Sequence, residues 1–200
     1  MNIVAHSYID HRGLYLNGEL LLDLASEAAW EKKAYQHLGI DYPKFYKMDS
    51  LSKLAFIATE VLASHFYPDY SNDNRMQLIF ANRHCSLQTD NKFVDSYREK
   101  GAPSPSLFVY TLPNILTGEL CIRHKIYGEN CFYIDNEFNP EAFSKRLHLA
   151  ATNGNIQSLC GWVDGKSENN QECFIFLVSH TTQADIGNEL LTTYKLYKNE

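Results

Sequence analysis

Proline spacing sets the tightest constraint on this chain. Between Pro103 and Phe138 (PSPSLFVYTLPNILTGELCIRHKIYGENCFYIDNEF), Pro103 and Pro105 open a turn and Pro113 interrupts an apolar run. Each proline fixes its own φ and restricts the residue before it. Leu107, Tyr110, Leu112, Ile115, Leu116, Leu120 and Ile122 recur at helical intervals. Pro113 therefore places the start of a regular helix near Leu112, with the proline in its first turn. Arg123 and Lys125 close that helix, where cations suit its dipole. Gly128 reads as a left-handed stop, and Cys131 to Ile134 as a short strand.

The flanking segments alternate between the two periods. Asn2 to Tyr8 leans toward a strand and Asp10-His11-Arg12-Gly13 toward a turn. Leu20 to Tyr35 has helix-like spacing. Asp49 is a candidate N-cap for a helix whose stripe is Leu51, Leu54, Ala55, Ala58, Val61 and Leu62. Met76 to Ala81 is a continuous apolar run, as in a strand covered on both faces. Asp90 to Lys100 reads as a surface helix with Phe93, Val94 and Tyr97 turned inward. Asn139-Pro140-Glu141 is a cap, a first-turn proline and a first-turn acid; that helix runs to about Ala151 and stops near Asn153-Gly154. Ile156 to Val163 and Cys173 to His180 are strands, separated by the polar stretch Asp164 to Glu172. Ile186 to Leu196 reads as a helix or an irregular tail. The order predicts one α/β domain over residues 1–200, a mixed sheet with helices on both faces.

Composition narrows the function classes. A net charge of −6 with scattered Lys and Arg argues against a nucleic-acid surface. No apolar run is long enough to span a bilayer, and the N-terminus has no signal-peptide pattern. Cys85, Cys121, Cys131, Cys160 and Cys173 are far apart and odd in number, which fits reduced thiols in the cytoplasm. No close ligand pair supports zinc; His84-Cys85 and His6 with His11 come nearest, so neither a metal nor a cofactor is expected.

Several ordered positions together resemble the β-ketoacyl synthases, condensing enzymes of the thiolase superfamily. They are Ser104-Pro105-x-x-Phe108, Leu112-Pro113-Asn114, Gly118, Ile122-Arg123 and Gly128, and the resemblance extends from about Tyr42 to His180. It implies the N-terminal half of a thiolase-fold subunit, with the helix from Leu112 to His124 lying against a dimer partner. It also places the family's nucleophilic cysteine at Glu137, counting without gaps from Gly128. A carboxylate cannot be acylated and recycled as a thiolate is, and its charge opposes an enolate. Read without the resemblance, Glu137 is an acid near a helix start, favoured by the dipole. The two histidines and the lysine that complete the family's chemistry come from a second half.

These residues imply a silent ketosynthase-like protein of fatty-acid or polyketide-type pathways. Its expected partner is a full-length ketosynthase, an acyl carrier protein or a second copy of itself. Leu112, Asn114, Ile115 and Gly118 are the expected contact residues. The alternative is an acyltransferase or thioester hydrolase using Glu137, His124 or a cysteine in a remodelled site. Cys121 and Cys131 lie in apolar settings that favour inert thiols, and His124 and His148 have no relay spacing.

Overall fold

A computed structural model describes residues 1–25, 29–72, 74–167, 170–181 and 186–198. Its first strand, β1 (Asn2–Ile9), turns into the short hairpin β2 (Gly13–Leu16) and β3 (Glu19–Asp23). Then come α1 (Trp30–His37), α2 (Ser50–Glu60), β4 (Met76–Asn82) and α3 (Leu87–Lys100). The central stretch gives α4 (Pro105–Val109), α5 (Ile115–His124) and β5 (Asn130–Ile134). α6 (Pro140–Thr152), the hairpin β6 (Gln157–Ser167) and β7 (Asn170–Ser179), and α7 (Gly187–Lys198) complete the chain.

The described residues form one mixed seven-stranded sheet in the order β3-β2-β1-β7-β6-β4-β5. β4 lies between β5 and β6 and runs parallel to both, whereas β7 is antiparallel to its neighbours β6 and β1. β1, β4, β5 and β6 therefore point the same way, and their carboxyl ends share one rim. Alternation along each strand builds two cores. Leu78, Phe80, Leu159, Val163, Ile175 and Leu177 face α2 and α5. Ile79, Ala81, Cys160, Trp162, Phe174 and Phe176 face α6 and α7. β4 is buried along its whole length, as its unbroken apolar run requires.

The capping residues act as expected. Asp49 accepts the Ser52 N–H at the head of α2, and Asn139 accepts the Ala142 N–H at the head of α6. Ser104 caps α4 with Pro105 at its first position.

Five local readings need correction. The helix expected from near Leu112 starts at Ile115, so Pro113 lies in the turn before it rather than in its first turn, and the residues preceding that turn form the separate short helix α4, which ends at Val109. Lys125, not Gly128, is the left-handed stop, with φ 56°. Gly128 has a different constraint, because a Cβ there would lie 2.0 Å from the Met76 carbonyl oxygen. Leu20 to Tyr35 is not one helix: Leu20 to Asp23 belong to β3, 26–28 lie outside the described residues, and α1 begins at Trp30. On α3, Val94 and Tyr97 are exposed (Tyr97 at 59%), while the polar Gln88, Thr89 and Ser96 are buried. Gln88 and Thr89 have polar partners in the Gly165 carbonyl and Asp49, so hydrogen bonding rather than an apolar stripe orients this helix. Finally, the polar stretch from Asp164 to Glu172 is mostly strand: pairing continues through Asp164↔Glu172 and Gly165↔Gln171, and 168–169 lie outside the described residues.

Candidate functional site

Open α/β sheets bind ligands beyond the carboxyl ends of their parallel strands. At that rim the chain after β5 is Asp135-Asn136-Glu137-Phe138, leading into α6. Phe138 is buried against Phe143, Phe174 and Tyr194, which pins one end of the loop. Asp135 pins the other through a two-pronged pair with Arg146 (2.6 and 2.8 Å). The Arg146 guanidinium also lies 3.9 Å from the Tyr133 ring centroid. Glu137 stands exposed between these anchors, on an open depression of about 330 Å³ lined by Ile134, Asp135, Asn136 and Asn139. The loop is rigidly held, and it presents a carboxylate and amides rather than a thiol.

None of the five free cysteines occupies that loop. Cys160 and Cys173 are fully buried, and burial pushes both thiols well above their ordinary range. Burial on α5 raises the Cys121 thiol to about 11, so it is not a thiolate at neutral pH. Cys131 lies on β5, partly exposed. His124 is buried beside Phe66 and 3.4 Å from Glu60, and desolvation lowers it to about 4. It belongs to a clasp in which Arg123 grips Glu60 (2.7 and 3.0 Å), so it does not reach the rim. His148 is exposed on α6.

Sequence reasoning passed over one arrangement at the end of β4. His84 Nδ1 donates to Asp164 Oδ2 (2.9 Å), and Asp164 Oδ1 accepts the Arg83 and His84 backbone N–H groups. Asn82 clasps Cys85 through two hydrogen bonds and holds it at φ 49°, ahead of α3. Asp164 is distant in sequence from His84, so only the parallel pairing of β4 with β6 reveals the contact.

The expected contact residues gather elsewhere, around the start of α5. Leu112 is 56% exposed, Asn114 is exposed and Ile115 is partly buried against the core. A Cβ on Gly118 would meet nothing within 4 Å. Ile122 adds a further exposed apolar residue that the contact set omitted, at 63%. On α5's inner face Leu116 and Leu120 are buried, and buried Glu119 takes the Tyr110 hydroxyl and pairs with Lys44 at 2.7 Å. Beside α5, β5 is an edge strand: only β4 pairs with it among the described residues.

No family model matches the chain, and no curated protein matches it either. Solved structures do. A ketosynthase in complex with its chain length factor from Xenorhabdus doucetiae superposes with a TM-score of 0.59 at 16% identity, over 89% of this chain and 78% of that one. The chain has a ketosynthase-like thiolase fold. The ishigamide ketosynthase/chain length factor superposes at 0.61 and 16% identity, over 92% of this chain and 63% of that one. A type II PKS acyl-carrier protein in complex with its ketosynthase bound to the hexaketide gives 0.59 and 16%, over 88% and 61%. The chain thus spans less than two thirds of the second and third of these chains. Within this ketosynthase-like fold no group of three or more metal-ligating side chains occurs among the described residues, and no helix there is long and apolar enough to cross a membrane.

Proposed function

We propose that this chain is a catalytically silent ketosynthase-like subunit of polyketide-type biosynthesis that binds a full-length ketosynthase or an acyl carrier protein. The observation that carries the reading is the open flank formed by α5 and β5. An edge strand presents unpaired backbone groups that favour association with another chain. α5, which packs against β5, carries the exposed Ile122 and the uncovered Gly118, and the turn before it carries the exposed Leu112. The fold neighbours include a ketosynthase with its chain length factor and a ketosynthase with a carrier protein, which supports a partner of this kind. Silence rests on Glu137, an exposed carboxylate at the position matched to the family's cysteine. A cytoplasmic setting, consistent with five free cysteines, is part of the same proposal.

The test is co-purification from native extract, with mass determination of what is retained. Gly118→Arg adds bulk where nothing in the subunit itself would object, so the variant is expected to fold normally and lose its partner. Unchanged retention of a ketosynthase or carrier protein by the variant would sink the α5 interface.

A second reading, an acyltransferase or thioester hydrolase, has its own observation. His84 is oriented by Asp164 through Nδ1, which frees Nε2 to act as a base, next to Cys85 at the head of α3. Turnover of an acyl-CoA that vanishes in both Cys85→Ser and His84→Gln would favour it over the silent subunit.

A further inference from the structure

The opposite edge of the sheet carries a second surface, independent of α5 and β5. β3 is the outermost strand there and pairs only with β2 among the described residues. Its sequence, Glu-Leu-Leu-Leu-Asp, places Leu20 at 55% and Leu21 at 38% exposure, while Leu22 packs partly on the core. The hairpin that presents it is held firmly. Asn17 and Gly18 form its two-residue turn, both at positive φ, as tight hairpins require. His6 and Asn17 exchange two hydrogen bonds (2.8 and 2.9 Å), and the Gly18 N–H donates to the Tyr197 hydroxyl of α7 (3.0 Å). A rigid edge strand with exposed leucines is a template for added strands unless something covers it.

The charges select the occupant. Glu19 and Asp23 end the strand, and both are exposed. A second copy paired antiparallel over Glu19 to Leu22 would bring each Glu19 within one residue of its mate's Asp23, two like-charge approaches that oppose association. An extended segment with a cation at each end meets the same two carboxylates favourably. Lys33 donates to the Asp23 backbone carbonyl, so among the described residues Glu19 to Leu22 are the backbone length left to an added strand, with the exposed Glu19 and Asp23 side chains at its ends. We propose that β3 docks an extended, apolar segment of another protein, flanked by Lys or Arg, as an added antiparallel strand. This surface and the α5–β5 flank lie at opposite ends of the sheet, so both can be occupied together and either can fail alone.

The probe is a short synthetic peptide with a Val-Leu-Val centre flanked by lysines, compared with its glutamate-flanked twin by amide NMR on the full chain. The lysine peptide should shift the amides of Glu19 to Leu22, leave β5 unmoved, and bind roughly ten-fold tighter than the twin. Glu19→Lys alters an exposed side chain and should erase most of that preference while the fold is kept. Equal binding of the two peptides, shifts located away from β3, or an unaltered preference in Glu19→Lys would each overturn the proposal. So would a homodimer of the chain paired through β3 in place of peptide binding. The α5–β5 reading is judged separately, by the Gly118→Arg variant.

Discussion

His124 is a buried imidazole whose surroundings decide its charge. Desolvation lowers its pKa from 6.5 to about 4; Glu60 pulls the other way and Arg123 adds to the lowering. The folded value lies below the unfolded one, so as pH falls the unfolded chain takes up the proton first. Stability from this site is complete above about pH 6.5 and declines as pH approaches 4. The shift corresponds to about 3 kcal/mol. Urea titrations from pH 7 to pH 4 should show a decline that is shallower in His124→Gln; an identical slope in the variant would remove His124 from the account. Gly128 illustrates the same scale. It belongs to the ketosynthase-like pattern, but its reason is close approach to the Met76 carbonyl rather than helix termination. A sequence shows a glycine, and only the backbone around it shows which of glycine's uses applies.

At the scale of elements, α2 is the helix whose ends and faces are most fully accounted for. Its cap Asp49 has two duties: Oδ1 accepts the Ser52 N–H and Oδ2 accepts the Thr89 hydroxyl of α3. Asp49→Ala should therefore cost more than an isolated cap, about 2 kcal/mol rather than about 1. Asn139→Ala at α6, whose cap takes one N–H, provides the comparison. Equal losses in thermal midpoint would show that the Thr89 link contributes nothing. Caps were legible because they are local: a side chain reaches its own helix within three residues. α3 was misread for the converse reason. Its period fits a helix, but the inward face is chosen by Gln88 and Thr89 reaching partners in β6 and α2, which no local pattern contains. β2 and β3 escaped notice because Leu20 to Leu22 form a continuous apolar run, which by period alone serves a helix or a strand.

Across the whole molecule, one rim gathers the chain's chemistry-bearing loops and the two sheet edges offer its surfaces. Among the described residues no histidine or lysine lines the depression at Glu137, so restoring a thiol there would not by itself restore a condensing site. Glu137→Cys should fold as the parent does and show no condensation of malonyl and acyl thioesters. Condensation by that variant alone would overturn this expectation and make Glu137 the one obstacle to a condensing site. The α/β class, the helix caps at Asp49 and Asn139 and the buried strand β4 are legible along the chain, because each follows from spacing over a few residues. Tertiary structure decided the rest. Parallel pairing of β4 with β6 set His84 on Asp164, strand order left β3 and β5 as edges, and packing turned Leu112 and Ile122 outward while Leu116 and Leu120 went in. Those facts depend on contacts between residues far apart in the chain, where local preference carries no information about which partner will be met.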